Sequence, residues 1–173
     1  MPDPTRPGWP TRATDAFAVV APDGIIVHPI PLPGLLGLTL AEGRLPPGEF
    51  AVHAHRSLEQ ITYVLAGRLL VTMGDPLGGE TVERDCGPGD TIGTPPLVTL
   101  SFRNPGPEIA RVLYICAPPY PADDADTAAL DRHRILTTPE LDAALARVEA
   151  VRTVTDAGFA ALAARIAALH DAR

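Results

Sequence analysis

No apolar run in this 173-residue chain approaches the roughly 20 residues needed to cross a bilayer, so no membrane-spanning helix is expected. The N-terminus, Met1-Pro2-Asp3-Pro4-Thr5-Arg6-Pro7, lacks the apolar centre of a secretory leader. Basic residues are few and scattered, 14 against 21 acidic ones, for a formal net charge of −7. That distribution leaves no footprint for nucleic acid. There are only two cysteines, Cys86 and Cys116, and neither belongs to a CxxC pair. A disulfide framework is therefore not expected, and both read as small core or strand residues. No internal repeat is visible. These absences together point to a soluble, cytoplasmic, single-domain protein.

What is present is a change of character along the chain. Residues 1–15, rich in proline and polar groups, read as a loose tail. Residues 16–120 read as a barrel, and 121–173 as an acidic loop followed by helices. From Phe17 to Cys116, short apolar runs alternate with Gly and Pro. They include Ile25-Ile26-Val27, Leu35-Leu36-Gly37-Leu38-Thr39-Leu40, Ile61-Thr62-Tyr63-Val64-Leu65, Leu69-Leu70-Val71-Thr72-Met73, Leu97-Val98-Thr99-Leu100-Ser101-Phe102 and Val112-Leu113-Tyr114-Ile115. Runs of that length between turn residues predict the strands of a sandwich or barrel. Ala66-Gly67 and Gly78-Gly79 read as hairpin turns.

Past Pro118-Pro119-Tyr120-Pro121 the strand pattern stops. Thr138, Pro139 and Glu140 form a helix start, with Thr138 as the cap. Leu141, Leu145, Val148 and Val151 line one face of this helix. A second helix is expected from Thr155-Asp156, with Phe159, Leu162, Ile166 and Leu169 as its stripe. Either the barrel wall or a partner subunit covers these stripes.

The chemistry concentrates in Gly48-Glu49-Phe50-Ala51-Val52-His53-Ala54-His55-Arg56-Ser57-Leu58-Glu59-Gln60-Ile61-Thr62-Tyr63-Val64-Leu65-Ala66-Gly67. Alternate residues of a strand share a face, so His53 and His55 point the same way. Two imidazoles on one face are a common beginning for a metal site. Four residues separate His55 from Gln60, and six separate Gln60 from Gly67. This spacing resembles the first motif of the cupin superfamily, in its small single-domain form with Gln at the usual Glu position. Gly87-Pro88-Gly89-Asp90, Pro95-Pro96 and Asn104 are similar to the second motif, and together the two cover about residues 35–117.

The resemblance implies an all-β fold, the double-stranded β-helix or jelly-roll barrel, here with a C-terminal helical extension. It implies a divalent metal (Zn, Ni, Mn or Fe) on His53, His55 and Gln60, and a homodimer. The pattern departs in two places. Leu100 stands where the family's second motif supplies a histidine, and the first motif carries a neutral amide. Glu59 is the alternative carboxylate, although strand alternation and the distance to Gly67 favour Gln60 facing inward. If Leu100 faces the cavity, then Thr62, Val64, Val98 and Phe102 complete a largely apolar pocket. Ile61, Tyr63 and Leu65 then turn outward, where a second barrel or the helices cover them. His28 and His133 read as structural and solvated, and His170 as lying at a helix end.

A fold of this kind hosts many chemistries. The leading expectation is a small-molecule enzyme of lyase, isomerase or cyclase type acting on a carbonyl or enol compound. Its reaction is assisted by a metal, or by His53 or His55 as acid and base. The alternatives are a metal-dependent oxygenase and a non-catalytic barrel that binds a small organic ligand.

Overall fold

A computed structural model describes residues 18–32, 37–75, 78–121, 126–130 and 136–171. The expected tail, Leu35-Leu36 and His133 lie outside the described residues, as do the side chains of Ile166, Leu169 and His170. Two antiparallel sheets face each other. The first contains β1 (Val19–Val20), β2 (Ile26–Ile30), β3 (Thr39–Leu45), β11 (Ala110–Ala117), β6 (Glu59–Ala66) and β9 (Thr91–Thr94), hydrogen-bonded in that order. The second runs β12 (Thr127–Ala129), β5 (His53–His55), β10 (Thr99–Asn104), β7 (Leu69–Gly74) and β8 (Thr81–Cys86), with β4 (Gly48–Glu49) also on β10.

Alternation is clearest in β6. Gln60, Thr62 and Val64 are buried, while Glu59, Ile61, Tyr63 and Leu65 face out. Between the sheets, Leu45, Val64, Leu69, Leu100 and Val112 are completely enclosed and pack with Phe102 and Val71. A second cluster of Ala54, Ala128 and Leu136, with Leu97 and Leu141 against it, anchors the start of the C-terminal helix.

Three details differ from the sequence reading. Ala66-Gly67 is not a hairpin turn, because β6 and β7 lie in different sheets. The turn carries the chain across the barrel. Gly67 is needed there twice over: its φ is +83°, and a Cβ would sit 2.7 Å from the Ala110 backbone. Gly78-Gly79 does join a paired hairpin, β7 with β8.

The second difference is that one helix, α1 (Thr138–Asp171), replaces the expected two. Thr155-Asp156 resembles a cap, but no proline or preceding glycine interrupts the ladder there. The Thr153 hydroxyl donates to the Glu149 carbonyl at 3.0 Å, which accommodates threonine within a continuing helix. Third, the cap is Thr137 rather than Thr138. The Thr137 N–H and hydroxyl donate to the Glu140 carboxylate at 2.6 and 2.9 Å, one limb of a capping box. Among the described residues, no helix is long and apolar enough to cross a membrane.

Candidate active site

Between β2, β3, β5 and β11 lies a cavity of about 720 Å³, the size that holds one drug-sized ligand. His53, His55, Gln60 and Phe102 line it. Thr62, Val64, Val98 and Leu100 do not. Thr62, Val64 and Leu100 are fully enclosed in the packed interior. Leu100 pairs directly with His53 across β5 and β10, so its side chain shares the imidazole's face. It packs into the core beneath the cavity floor instead of forming its wall. The apolar wall comes from elements not expected to supply it, with Ile25, Val27 and Ile30 on or beside β2 and Leu38, Leu40 and Ala41 around β3.

The two histidines are buried, with ring centroids 5.3 Å apart in an edge-to-face arrangement. His53 Nδ1 lies 3.3 Å from the Ala51 carbonyl oxygen and 3.5 Å from Asp23 Oδ2. Both neighbours accept hydrogen bonds, so Nδ1 carries the proton and Nε2 keeps the lone pair. Asp23 is itself held by the Ile25 N–H, which donates to its Oδ1 at 3.1 Å. Burial raises the Asp23 carboxyl, and the attraction of His53 works against that rise.

His55 has a different setting. Its Nε2 is 3.2 Å from Gln60 Oε1, and a carbonyl oxygen only accepts, so the proton is on Nε2. Its Nδ1 faces Asp126 Oδ2 at 3.8 Å. Burial, and then the neighbouring His53, push His55 down to about 4, so it is neutral near pH 7. Gln60 in turn donates from Nε2 to the Thr62 hydroxyl at 3.2 Å. Cys116, directly opposite Gln60 in the β6–β11 ladder, places its sulfur 3.7 Å from Gln60 Oε1. Burial lifts that thiol to about 12, so it acts as a neutral donor.

Asp126 is completely buried behind His55. Ser57 donates to it from its backbone N–H at 3.1 Å and also from its hydroxyl, and Arg147 of α1 comes within 3.4 Å. The Leu97 N–H donates to the His55 carbonyl at 2.7 Å from a left-handed conformation, φ 67°. That bond ties the Pro95-Pro96 turn to the histidine strand.

A resident divalent metal, which the fold family implies, does not fit these residues. The Nε2 proton of His55 is committed to Gln60, and all three proposed donors are neutral. Glu59 is exposed on the outer face and brings no carboxylate to the cavity. Among the described residues no group of three His, Cys, Asp or Glu side chains is arranged to hold a metal ion. The fourth position is the enclosed Leu100.

Sequence reasoning missed Asp23, Asp126, Tyr114 and Cys116. Pro22-Asp23-Gly24 carries only the signal of a turn, and Asp126 only that of an acidic loop. Tyr114 is buried in the cavity wall, where its hydroxyl finds no hydrogen-bond partner among the described residues. Its ring lies against Gly43, whose missing side chain makes the room: a Cβ there would run into the Tyr114 ring and sit 2.8 Å from Val112 Cγ2. His28 is buried on β2 and is not among the cavity's lining residues.

A family model described as a cupin domain matches residues 41–116. An uncharacterized protein of Methanocaldococcus jannaschii, MJ1618, is 29% identical over 111 residues, covering 62% of this chain and 84% of that protein. Among solved structures, the capsular polysaccharide assembling protein CapF from Staphylococcus aureus matches with a TM-score of 0.58 at 14% identity, over 72% of this chain and 32% of its own. Oxalate decarboxylase from Bacillus subtilis matches at 0.57 and 23% identity, over 75% of this chain and 34% of its own. At such identities the structural likeness is one of fold. With both sequence motifs placed in facing antiparallel sheets, residues 41–116 match a cupin domain, and the fold is the double-stranded β-helix of such domains.

Proposed function

We propose that the chain is an acid–base enzyme of lyase, isomerase or cyclase type, acting on a carbonyl or enol compound held inside the barrel. The observation that carries this reading is the Asp23–His53 pair in the cavity, 3.5 Å apart, with the His53 Nε2 lone pair unclaimed by any described neighbour. His53 takes a proton from the carbon beside the substrate carbonyl, and Asp23 orients the ring and stabilises the imidazolium that forms. Gln60, held by His55 and with one amide hydrogen left over from its bond to Thr62, presents a donor to the developing enolate oxygen. The proton then returns to a neighbouring carbon in an isomerisation, or the enolate expels a leaving group in an elimination. The enclosing apolar wall keeps water from quenching the enolate.

The test needs no knowledge of the natural substrate. 1-Tetralone in deuterium oxide exchanges the hydrogens beside its carbonyl, and proton NMR follows the rate. The wild-type chain is expected to accelerate this exchange, and His53→Gln to lose at least about 100-fold of the acceleration while keeping its melting temperature. Equal rates in the two proteins overturn the reading in favour of a barrel that only binds. The closed His55–Gln60 hydrogen bond is the observation that favours that second reading. An oxygenase has less support, because Glu59 lies outside the cavity.

We also propose a homodimer through the outer face of β6. Ile61, Tyr63 and Leu65 are 43, 39 and 38% exposed there, a compact apolar strip. Light scattering on the purified chain is expected to give twice its 18.2 kDa mass, and Tyr63→Glu to give the monomer.

A further inference from the structure

The composition of the cavity wall narrows the substrate beyond the presence of a carbonyl. Most of the wall is hydrocarbon: Ile25, Val27, Ile30, Leu38 and Leu40, with Phe102 deeper in. The charged and amide groups gather where Asp23, His53, His55 and Gln60 meet and are largely spoken for by one another, while Thr39, Tyr114, Tyr120 and Thr127 are the hydroxyl-bearing side chains of the wall. Val19 and Val20, 42 and 71% exposed, line the cavity where it opens to solvent.

Among the described residues, no cation lines this space. The chain contains no lysine at all, and none of its described arginines is among the lining residues. Arg147 lies against Asp126, and Arg56 donates to the Thr127 carbonyl at 3.0 Å. A phosphate or carboxylate buried here would find no counter-charge among the described residues and would face the Asp23 carboxyl instead. A sugar fares little better. Each of its hydroxyls turned to the hydrocarbon wall would give up a hydrogen bond to water without replacement. A molecule with one oxygenated edge and an apolar body matches both parts of the wall.

We infer that the substrate is an uncharged, predominantly apolar molecule of drug size, with a carbonyl, enol or phenol group along one edge, and that phosphorylated and carboxylated sugars are excluded. This rests on the acid–base reading for the location of the site, but its test measures binding alone.

Calorimetric titration of the whole chain with four probes decides it: 2-naphthol, 2-naphthoate, glucose and glucose 6-phosphate. 2-Naphthol is expected to bind with a micromolar Kd. The carboxylate of 2-naphthoate should weaken binding at least tenfold, and neither sugar should bind below millimolar concentration. Ala41→Trp and Ile30→Trp each fill the apolar part of the cavity, and each is expected to weaken 2-naphthol at least tenfold. Two blocking variants guard against a fold defect in either one. The inference is overturned if glucose 6-phosphate binds more tightly than 2-naphthol, if 2-naphthol fails to bind below millimolar concentration, or if both blocking variants fold and leave its affinity unchanged. The deuterium-exchange assay on the same wild-type protein separates this result from the catalytic reading, because binding and exchange are read independently. Binding with this selectivity but no catalysed exchange defeats the catalytic reading alone. Catalysed exchange on a charged sugar defeats the substrate class alone.

Discussion

The interior of this barrel has two halves built on opposite principles. In one, Leu45, Val64, Leu69, Leu100 and Val112 are completely enclosed and pack in one hydrocarbon cluster. In the other, imidazoles, an amide, a thiol and carboxylates are buried around a space of about 720 Å³. Burying hydrocarbon stabilises at roughly 25 cal/mol per Å², whereas each buried polar group must recover its lost hydration through a partner. The packed half therefore holds the two sheets together. The polar half keeps several atoms without a hydrogen bond, among them His55 Nδ1, Asp126 Oδ2 and the Tyr114 hydroxyl. Frustration of this kind concentrates where a fold serves chemistry more than stability.

Leu100→Ala breaks the packed half most directly. The enclosed side chain should cost about 2–5 kcal/mol in chemical unfolding, because the rigid sheets cannot collapse into the void. His53→Gln, one strand away in the cavity, should change stability by less than about 1 kcal/mol. If the two variants destabilise equally, the contrast between the halves fails.

A smaller effect should appear with pH. Burial and the neighbouring His53 depress His55 to about 4 in the folded chain, against about 6.5 when unfolded. Between those values the unfolded chain binds a proton that the folded one does not. Stability is thus fully present above pH 6.5 and is lost as the pH falls toward 4, by up to about 3 kcal/mol. Urea titrations across that window should show the slope in the wild type and a flatter one in His55→Gln. Identical slopes would mean that His55 is solvated in solution and that the polar half is more open than its geometry indicates.

The barrel and α1 offer a second contrast. The barrel is tied by ladders between strands distant in sequence, such as β3 with β11 and β4 with β10. The helix touches that body chiefly through its first turns, where Ala144 is buried, Leu141 packs on Leu136 and Arg147 reaches Asp126. Further along, Val154 and Phe159 are 73 and 66% exposed. Period alone predicted the helical stripes, but it could not show that the first and second are one continuous rod. A cap-like Thr-Asp pair stops a helix only when something else breaks the ladder.

Much of the site was legible for a similar reason. His53 and His55 share a face because strand side chains alternate, and the six residues from Gln60 to Gly67 place the amide inward. Glu59 is outward by the same rule. Leu100 was placed on the correct face but at the wrong depth. Pairing fixes which way a side chain points, and only the packing of Val64, Phe102 and Val112 decides whether it meets a cavity or a core.

The sequence by itself determined the strand runs, the inward pair of histidines, the amide beside them and the barrel class, since these depend on local period and spacing. Only the tertiary structure brought Asp23 to His53 and Asp126 to His55, from turns 30 and 71 residues away along the chain. It alone moved the apolar wall from β6 and β10 to β2 and β3. Those contacts arise from closing two sheets over one another, and closure sets distances that no local pattern encodes.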